Sequence, residues 1–262
     1  MAAMKKEEIT QEKTEETGKA AETETGAVTT PAQSLRPAKK NGTDVRVVTS
    51  AGEKTFRVFS QQRMEDPWFY HHGCAVCALT TILRTWADGC GMLTPQECHT
   101  RIEKEVFGED VWARNERRPL IARMPVSMAG MAGILSAYGL PAEYVRRFEK
   151  EDAVRRMEEH LYAGGQALVE TTFFPGRRWA GSKHTMAVLG MTGDGRAIIA
   201  DSADRGWSGK WQRIKLAELS DLAEAMFPCT TEKTYPYYRG KAMGGGYILT
   251  GPGIRERMKK NA

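Results

Sequence analysis

The sequence predicts an N-terminal tail without a fold, residues 1–43, followed by one α+β domain over residues 44–262. Three observations carry that prediction. Residues 1–43 are mostly Glu, Lys, Thr and Ala with almost no large apolar side chain, which leaves nothing to form a core. From about Cys74 to Tyr162, apolar residues recur at helical spacing in segments closed by glycines. Beyond Gly165 the pattern changes to short apolar runs between glycine-rich turns. Helices first and strands second argue for a helical half packed on an antiparallel sheet half.

Taken in order, Asp44 to Phe59 reads as a hairpin, with Val45, Val47, Phe56 and Val58 on one face and Arg46 and Arg57 on the other. The stretch Asp66-Pro67-Trp68-Phe69-Tyr70-His71-His72-Gly73 reads as a loop. A helix follows, with an apolar stripe of Val76, Leu79, Ile82, Leu83 and Trp86. Thr94-Pro95-Gln96-Glu97 combines an N-cap, a proline at the first helical position and a glutamate three residues on, opening a helix to about Val106. Further helices are expected over Ser127 to Tyr138, stopped by Gly139, and over Lys150 to Tyr162, ended by Gly164-Gly165. The predicted strands are Ala167 to Thr171, His184 to Leu189, Ala197 to Ala200 and Tyr247 to Thr250.

Composition narrows the function. The net charge of +5 belongs to the folding part, because the lysines and arginines of residues 1–43 are balanced by glutamates. The basic residues occur as scattered pairs such as Arg117-Arg118 and Arg177-Arg178, without aromatic interleaving, so nucleic acid is not an expected partner. No apolar run approaches a membrane span, and no signal-peptide h-region opens the chain. Five cysteines at irregular spacing do not form a disulfide framework, and free thiols fit a cytoplasmic location.

The chemistry centres on Gly73-Cys74. Cys74 falls on the first turn of its helix, where backbone N–H groups and the dipole favour a thiolate. Lowering a thiol from about 8.5 to near 4 needs roughly 6 kcal/mol, whereas a helix end supplies at most about 2 kcal/mol. An imidazolium must supply the rest. His71 and His72 are too near Cys74 in sequence to oppose it across a cleft. His160 is expected on a charged helix face and His99 inside a helix, which leaves His184 at the start of an apolar strand. Asp201, at the end of the next strand, is placed to orient that imidazole. An oxyanion needs donors, and Gln61 or Gln62 can supply a side-chain amide beside the Cys74 N–H.

In that order, Gln62, Asp66-Pro67-Trp68, Gly73-Cys74 with Ala78-Leu79, the strand entry at Gly165 to Val169, His184 and Asp201 resemble papain-like cysteine peptidases of the bacteriocin-processing, double-glycine-leader type. The resemblance runs from about Phe59 to Asp204 and is expected to continue to the C-terminus. It implies a papain-like fold in a bacterial protein, no cofactor and no metal, and a peptide or protein substrate. It also implies roles: Cys74 as nucleophile, His184 as proton relay, Asp201 as its orienting partner and Gln62 in the oxyanion hole. The family usually has Gly-Pro after the cysteine and often glycine before the histidine; here Ala75-Val76 and Lys183 stand there, altering the cleft wall.

Two other classes use the same residues. Cys74-Ala75-Val76-Cys77 is a C-x-x-C at a helix start, the arrangement of thiol-disulfide exchange, although no central strand precedes it. Helical angles place Cys77 away from the apolar stripe, beside Thr80 and Arg84. A domain that binds peptides without cleaving them is the third class. A zinc site from His71, His72, Cys74 and Cys77 would crowd its ligands and lacks a second knuckle.

Overall fold

The computed structural model describes residues 42–107, 128–171, 173–174, 177–178, 184–203, 213–226 and 245–254. The expected tail up to residue 41, Cys229 and most of the loop before His184 lie outside them.

Strand β1 (Thr43–Thr49) begins one residue ahead of the expected boundary and pairs antiparallel with β2 (Gly52–Val58), Val45 facing Phe56. Alternation does what the sequence predicts: Val45, Val47, Phe56 and Val58 are buried, while Arg46 pairs with Glu53 outside. After a 3-10 turn at Gln61–Arg63, the expected loop is instead a short helix, α1 (Pro67–His72). Asp66 caps it by accepting from the Trp68 N–H at 2.9 Å, and Pro67 occupies its first position, where a missing N–H costs nothing. Gly73 alone separates α1 from α2 (Cys74–Trp86). A Cβ there would lie 2.7 Å from both Phe69 O and Phe69 Cδ1, so contact with α1 demands glycine.

Helix α2 departs from the expected one-sided stripe. Every residue from Ala75 to Leu83 is buried, because β2 packs on one flank and the sheet on another. Cys77 and Thr80 are therefore core residues, with the Thr80 hydroxyl donating to Val76 O at 2.7 Å. Val76, Leu79, Ile82 and Leu83 have no exposure, each burial worth roughly 2 kcal/mol. Helix α3 (Pro95–Phe107) opens with the expected capping box: the Glu97 carboxylate accepts from Thr94 N at 2.9 Å, and Glu97 N donates to Thr94 Oγ1 at 3.2 Å. Helix α4 (Met128–Ala137) follows.

Strand β3 (Ala142–Val145), unforeseen in sequence, precedes α5 (Lys150–Tyr162). Then come β4 (Gln166–Thr171), the two-residue pair β5 (Phe173–Phe174) and β6 (Arg177–Arg178), β7 (His184–Met191) and β8 (Ala197–Ala200). The unforeseen β9 (Ile214–Ala217) and α6 (Leu219–Ala225) lead to β10 (Tyr247–Thr250). The main sheet has six antiparallel strands in the order β3-β10-β4-β7-β8-β9, so the last strand inserts near one edge.

The α+β class holds, with an addition. One apolar cluster joins the hairpin, α2 and α4 to Leu168, Ala187, Leu189, Ile198 and Ile248 on one sheet face. A second joins α5 and α6 to Val169, Met186, Val188, Ile199 and Leu249 on the other. Helices thus cover both faces, which is why the central strands read as unbroken apolar runs. His160 is the clearest displacement from expectation. It is buried, and its Nε2 lies 3.0 Å from Gln166 O and 2.9 Å from Thr250 O, in a space that exists because Gly165 has no Cβ.

Gly73→Ala is expected to destabilise the fold by about 1–3 kcal/mol through overpacking against α1. Urea unfolding reads this as a lower midpoint at unchanged slope; an unchanged midpoint would show that α1 moves aside freely.

Candidate active site

Strands β7 and β8 are neighbours, and their antiparallel pairing brings the start of one beside the end of the other. His184 opens β7 opposite Thr171 of β4. Asp201 follows β8 directly. The two side chains meet: His184 Nε2 lies 2.7 Å from Asp201 Oδ1, and Asp201 has no solvent exposure. The Cys74 thiol at the first turn of α2 interacts with the same ring, by hydrogen bond and by charge. Cys74, His184 and Asp201 therefore form one continuous chain across two layers of the fold, in the predicted sequence order.

The charges follow from that chain. Burial alone would push the Cys74 thiol up; the His184 hydrogen bond, the imidazolium charge and the Thr185 backbone N–H outweigh it, against opposition from Glu170, and the net direction is down. Burial likewise works against the His184 imidazolium, yet Asp201, by charge and hydrogen bond, and the Cys74 sulfur hold it up at about 10. Asp201 resists its own burial through His184 first and Lys215 second, and stays well below the usual carboxylate range. Both shifts run towards the pair of conjugate charges, thiolate and imidazolium. Cys74 is also accessible, being half-buried, whereas Cys77, Cys90 and Cys98 are buried.

The two glutamines separate. Gln61 is spent on structure: its Nε2 donates to Tyr70 O at 3.0 Å, its Oε1 accepts from Ser202 Oγ at 3.0 Å, and its backbone N–H donates to Ser202 O at 2.9 Å. It ties the turn before α1 to the residue after Asp201. Gln62 is half-buried on the same turn. Of the other histidines, His71 and His72 are exposed at the end of α1, and His99 is buried with its ring 4.3 Å from that of Trp68. Among the described residues no group of three or more His, Cys, Asp or Glu side chains is arranged to hold a metal ion, so His71, His72, Cys74 and Cys77 do not assemble into one. Burial, reinforced by Cys74 and Cys98, pushes the Cys77 thiol well above its ordinary value, which leaves it ill suited to attack a disulfide.

Sequence reasoning missed three groups at the site. Lys215, on β9, pairs with Asp201 Oδ2. Glu170, on β4, is buried, accepts from Gly245 N at 2.6 Å and bears electrostatically on Cys74. The Thr185 N–H reaches the sulfur. The alternation Ile214-Lys215-Leu216 was the available signal for the first; a glutamate inside the apolar run Ala167-Leu168-Val169-Glu170 was the signal for the second.

No protein-family model matches the chain, and no curated protein matches it either. The reading of the site therefore rests on its own geometry. No helix among the described residues is long and apolar enough to cross a membrane.

The coupled pair makes a specific stability profile. His184, raised above its ordinary 6.5, contributes stability fully below 6.5 and loses it as pH rises towards about 10. Cys74, lowered from 9.0, contributes fully above 9.0 and loses it as pH falls. As pH rises between 6.5 and 9.0, the loss from His184 and the gain from Cys74 run in opposite directions and offset each other. Thermal unfolding is expected to show a plateau there. In Cys74→Ser the histidine acts alone, and the decline should begin near 6.5; identical profiles would mean that no ion pair forms.

Proposed function

We propose that this chain is a papain-like cysteine peptidase, or a related thiol hydrolase, that cleaves a peptide or amide bond through a thioester. The observation that carries the reading is the unbroken hydrogen-bonded chain from the Cys74 sulfur through His184 to Asp201. The Cys74 thiolate attacks the carbonyl carbon, forming the C–S bond as the carbonyl π pair moves to oxygen. The resulting oxyanion is met by the Gln62 side-chain amide and the Cys74 N–H. The His184 imidazolium then gives its proton to the leaving nitrogen, the C–N bond breaks and a thioester remains. A water molecule, deprotonated by His184, attacks that thioester; the acid leaves and the thiolate returns.

Asp201 does not change its protonation in this cycle. It orients the imidazole through Nε2 and compensates the imidazolium. None of the four described cysteines is in a disulfide, which suits the reducing, cytoplasmic compartment of this reading. A peptide or protein is the substrate and no cofactor enters the cycle. Thiol-disulfide exchange is the poorer use of the same cysteine, because Cys77 is enclosed and held protonated.

An electrophilic peptide library screened against the full chain at neutral pH is expected to label Cys74, and peptides selected that way are expected to be hydrolysed. Cys74→Ser and His184→Gln should abolish turnover. Gln62→Ala should lower kcat by about 10²–10³-fold with little change in binding. Cys77→Ala should leave hydrolysis intact. Full turnover by Cys74→Ser would overturn the reading, and binding without turnover or labelling would identify a peptide-binding domain.

A further inference from the structure

Asp201 has two carboxylate oxygens, and the chain described above uses only one. Oδ1 lies 2.7 Å from His184 Nε2 and accepts from the Ala203 N–H at 2.8 Å. Oδ2 takes the ammonium of Lys215, whose side chain is only 11% exposed. The pairing of β9 with β8 explains how the lysine arrives: Ala200 stands opposite Ile214 and Ile199 opposite Lys215, so the edge strand delivers Lys215 to the end of β8. The Asp201 N–H also donates to Arg213 O at 3.3 Å, fastening the backbone just before β9 to the same residue.

A buried Lys–Asp pair is not in itself a strong source of stability, because desolvating an ammonium offsets much of the attraction. Its larger effect is on the carboxylate. Donors on both oxygens fix the carboxylate plane, and that plane sets the direction in which Oδ1 meets the imidazole. Hydrolysis through Cys74 and His184 requires an oriented carboxylate, and nothing in that chemistry otherwise calls for a buried lysine behind it.

We propose that Lys215 is a positioning residue of the Cys74–His184–Asp201 chain, holding Asp201 ionised and aimed at His184 into the acidic range. The inference rests on the reading of Cys74 as an imidazolium-paired thiolate. Among the groups that face Asp201 are His184 from β7, Lys215 on β9, the Arg213 carbonyl preceding it, and the Ala203 N–H from its own loop. Glu170 from β4 acts at the far end of the chain, on the sulfur.

The sign of the effect is unambiguous on the acid side. Removing the lysine charge lets Asp201 take a proton at higher pH, and without an ionised Asp201 the imidazolium loses its anchor. That change moves the acid limb of thiolate reactivity upward.

The test is the pH dependence of Cys74 alkylation by iodoacetamide in the full-length protein, followed by mass spectrometry, which needs no peptide substrate. Lys215→Gln is expected to raise the acid limb by about 1 pH unit, while Lys215→Arg keeps it with the wild type. In an Asp201→Asn background, Lys215→Gln should cause no further shift, because its route to Cys74 is gone. Lys215→Met is the second neutral variant, used where Lys215→Gln melts early, and the same shift is expected. A neutral variant whose acid limb superimposes on the wild type overturns the proposal, as does an equal shift in the Asp201→Asn background. A wild type with no acid limb near or below neutrality removes the thiolate on which both readings depend. A normal limb that responds to Lys215, in a protein that hydrolyses no peptide, supports the positioning role and leaves the substrate class as the part that fails.

Discussion

Asp201 carries a negative charge into a position with no solvent exposure, at the end of β8. Desolvating such an ion costs several kcal/mol, and left alone it would take up a proton. Its compensation comes from three places at once: His184 at the start of β7, Lys215 on β9 and the Ala203 N–H two residues on. One carboxylate therefore holds the ends of three adjacent strands in a single arrangement. Because His184 in turn meets Cys74, the same charge couples the sheet to the first turn of α2. The register that permits this includes a shift between Val188 and Gly190, which lies on the far side of β7 from the site and leaves the His184 end in regular pairing with β4.

What was legible in the sequence follows from what each pattern measures. The apolar periodicity of Cys74 to Trp86 and the runs at His184, Ala197 and Tyr247 report burial directly, and those elements lie where expected. Strands β3 and β9 escaped because Ala142-Glu143-Tyr144-Val145 and Ile214-Lys215-Leu216-Ala217 are four-residue edge strands. Their pairing partners are supplied from elsewhere in the chain, and four residues hold too little alternation to separate them from loop. Helix α1 had its start signals in Asp66 and Pro67; what hid it was its brevity and the glycine after it. Periodicity also describes one helix at a time, so it placed Cys77 and His160 on polar faces. Cys77 is buried because α3, which carries Cys98 beside it, packs on α2. His160 is buried because carbonyls of β4 and β10 receive its ring.

The order glutamine, cysteine, histidine, aspartate was legible, and the division of labour between Gln61 and Gln62 was not. Adjacent identical residues have the same local propensity, so only their partners distinguish them. Gln61 uses both ends of its amide to join Tyr70 at the top of α1 with Ser202 beside Asp201. That bracket sets the distance between the turn carrying Gln62 and the loop carrying the histidine's partner. A donor for a developing charge has value only where it is held before the charge appears. Gln61 fixes the turn on which Gln62, the proposed oxyanion donor, stands.

A thiolate at Cys74 needs support from more than one side. The requirement is roughly 6 kcal/mol, of which a helix end contributes at most about 2 kcal/mol. Opposite charges about 4 Å apart attract by roughly 4 kcal/mol at an effective dielectric near 20. These two contributions meet the requirement but leave no margin for the burial of Cys74 or for the like charge of Glu170, both of which oppose ionisation. The margin has to come from groups that act at one remove. The Thr185 N–H stabilises the sulfur directly, and Asp201 keeps the imidazole charged to about 10. Asp201 can do so only while it is itself ionised, and Lys215 supports that condition from outside the reacting pair. In the proposed reading, a reactive cysteine is the product of a charge series, thiolate, imidazolium, carboxylate, ammonium, in which each of the first three is favoured in its charged form by the next.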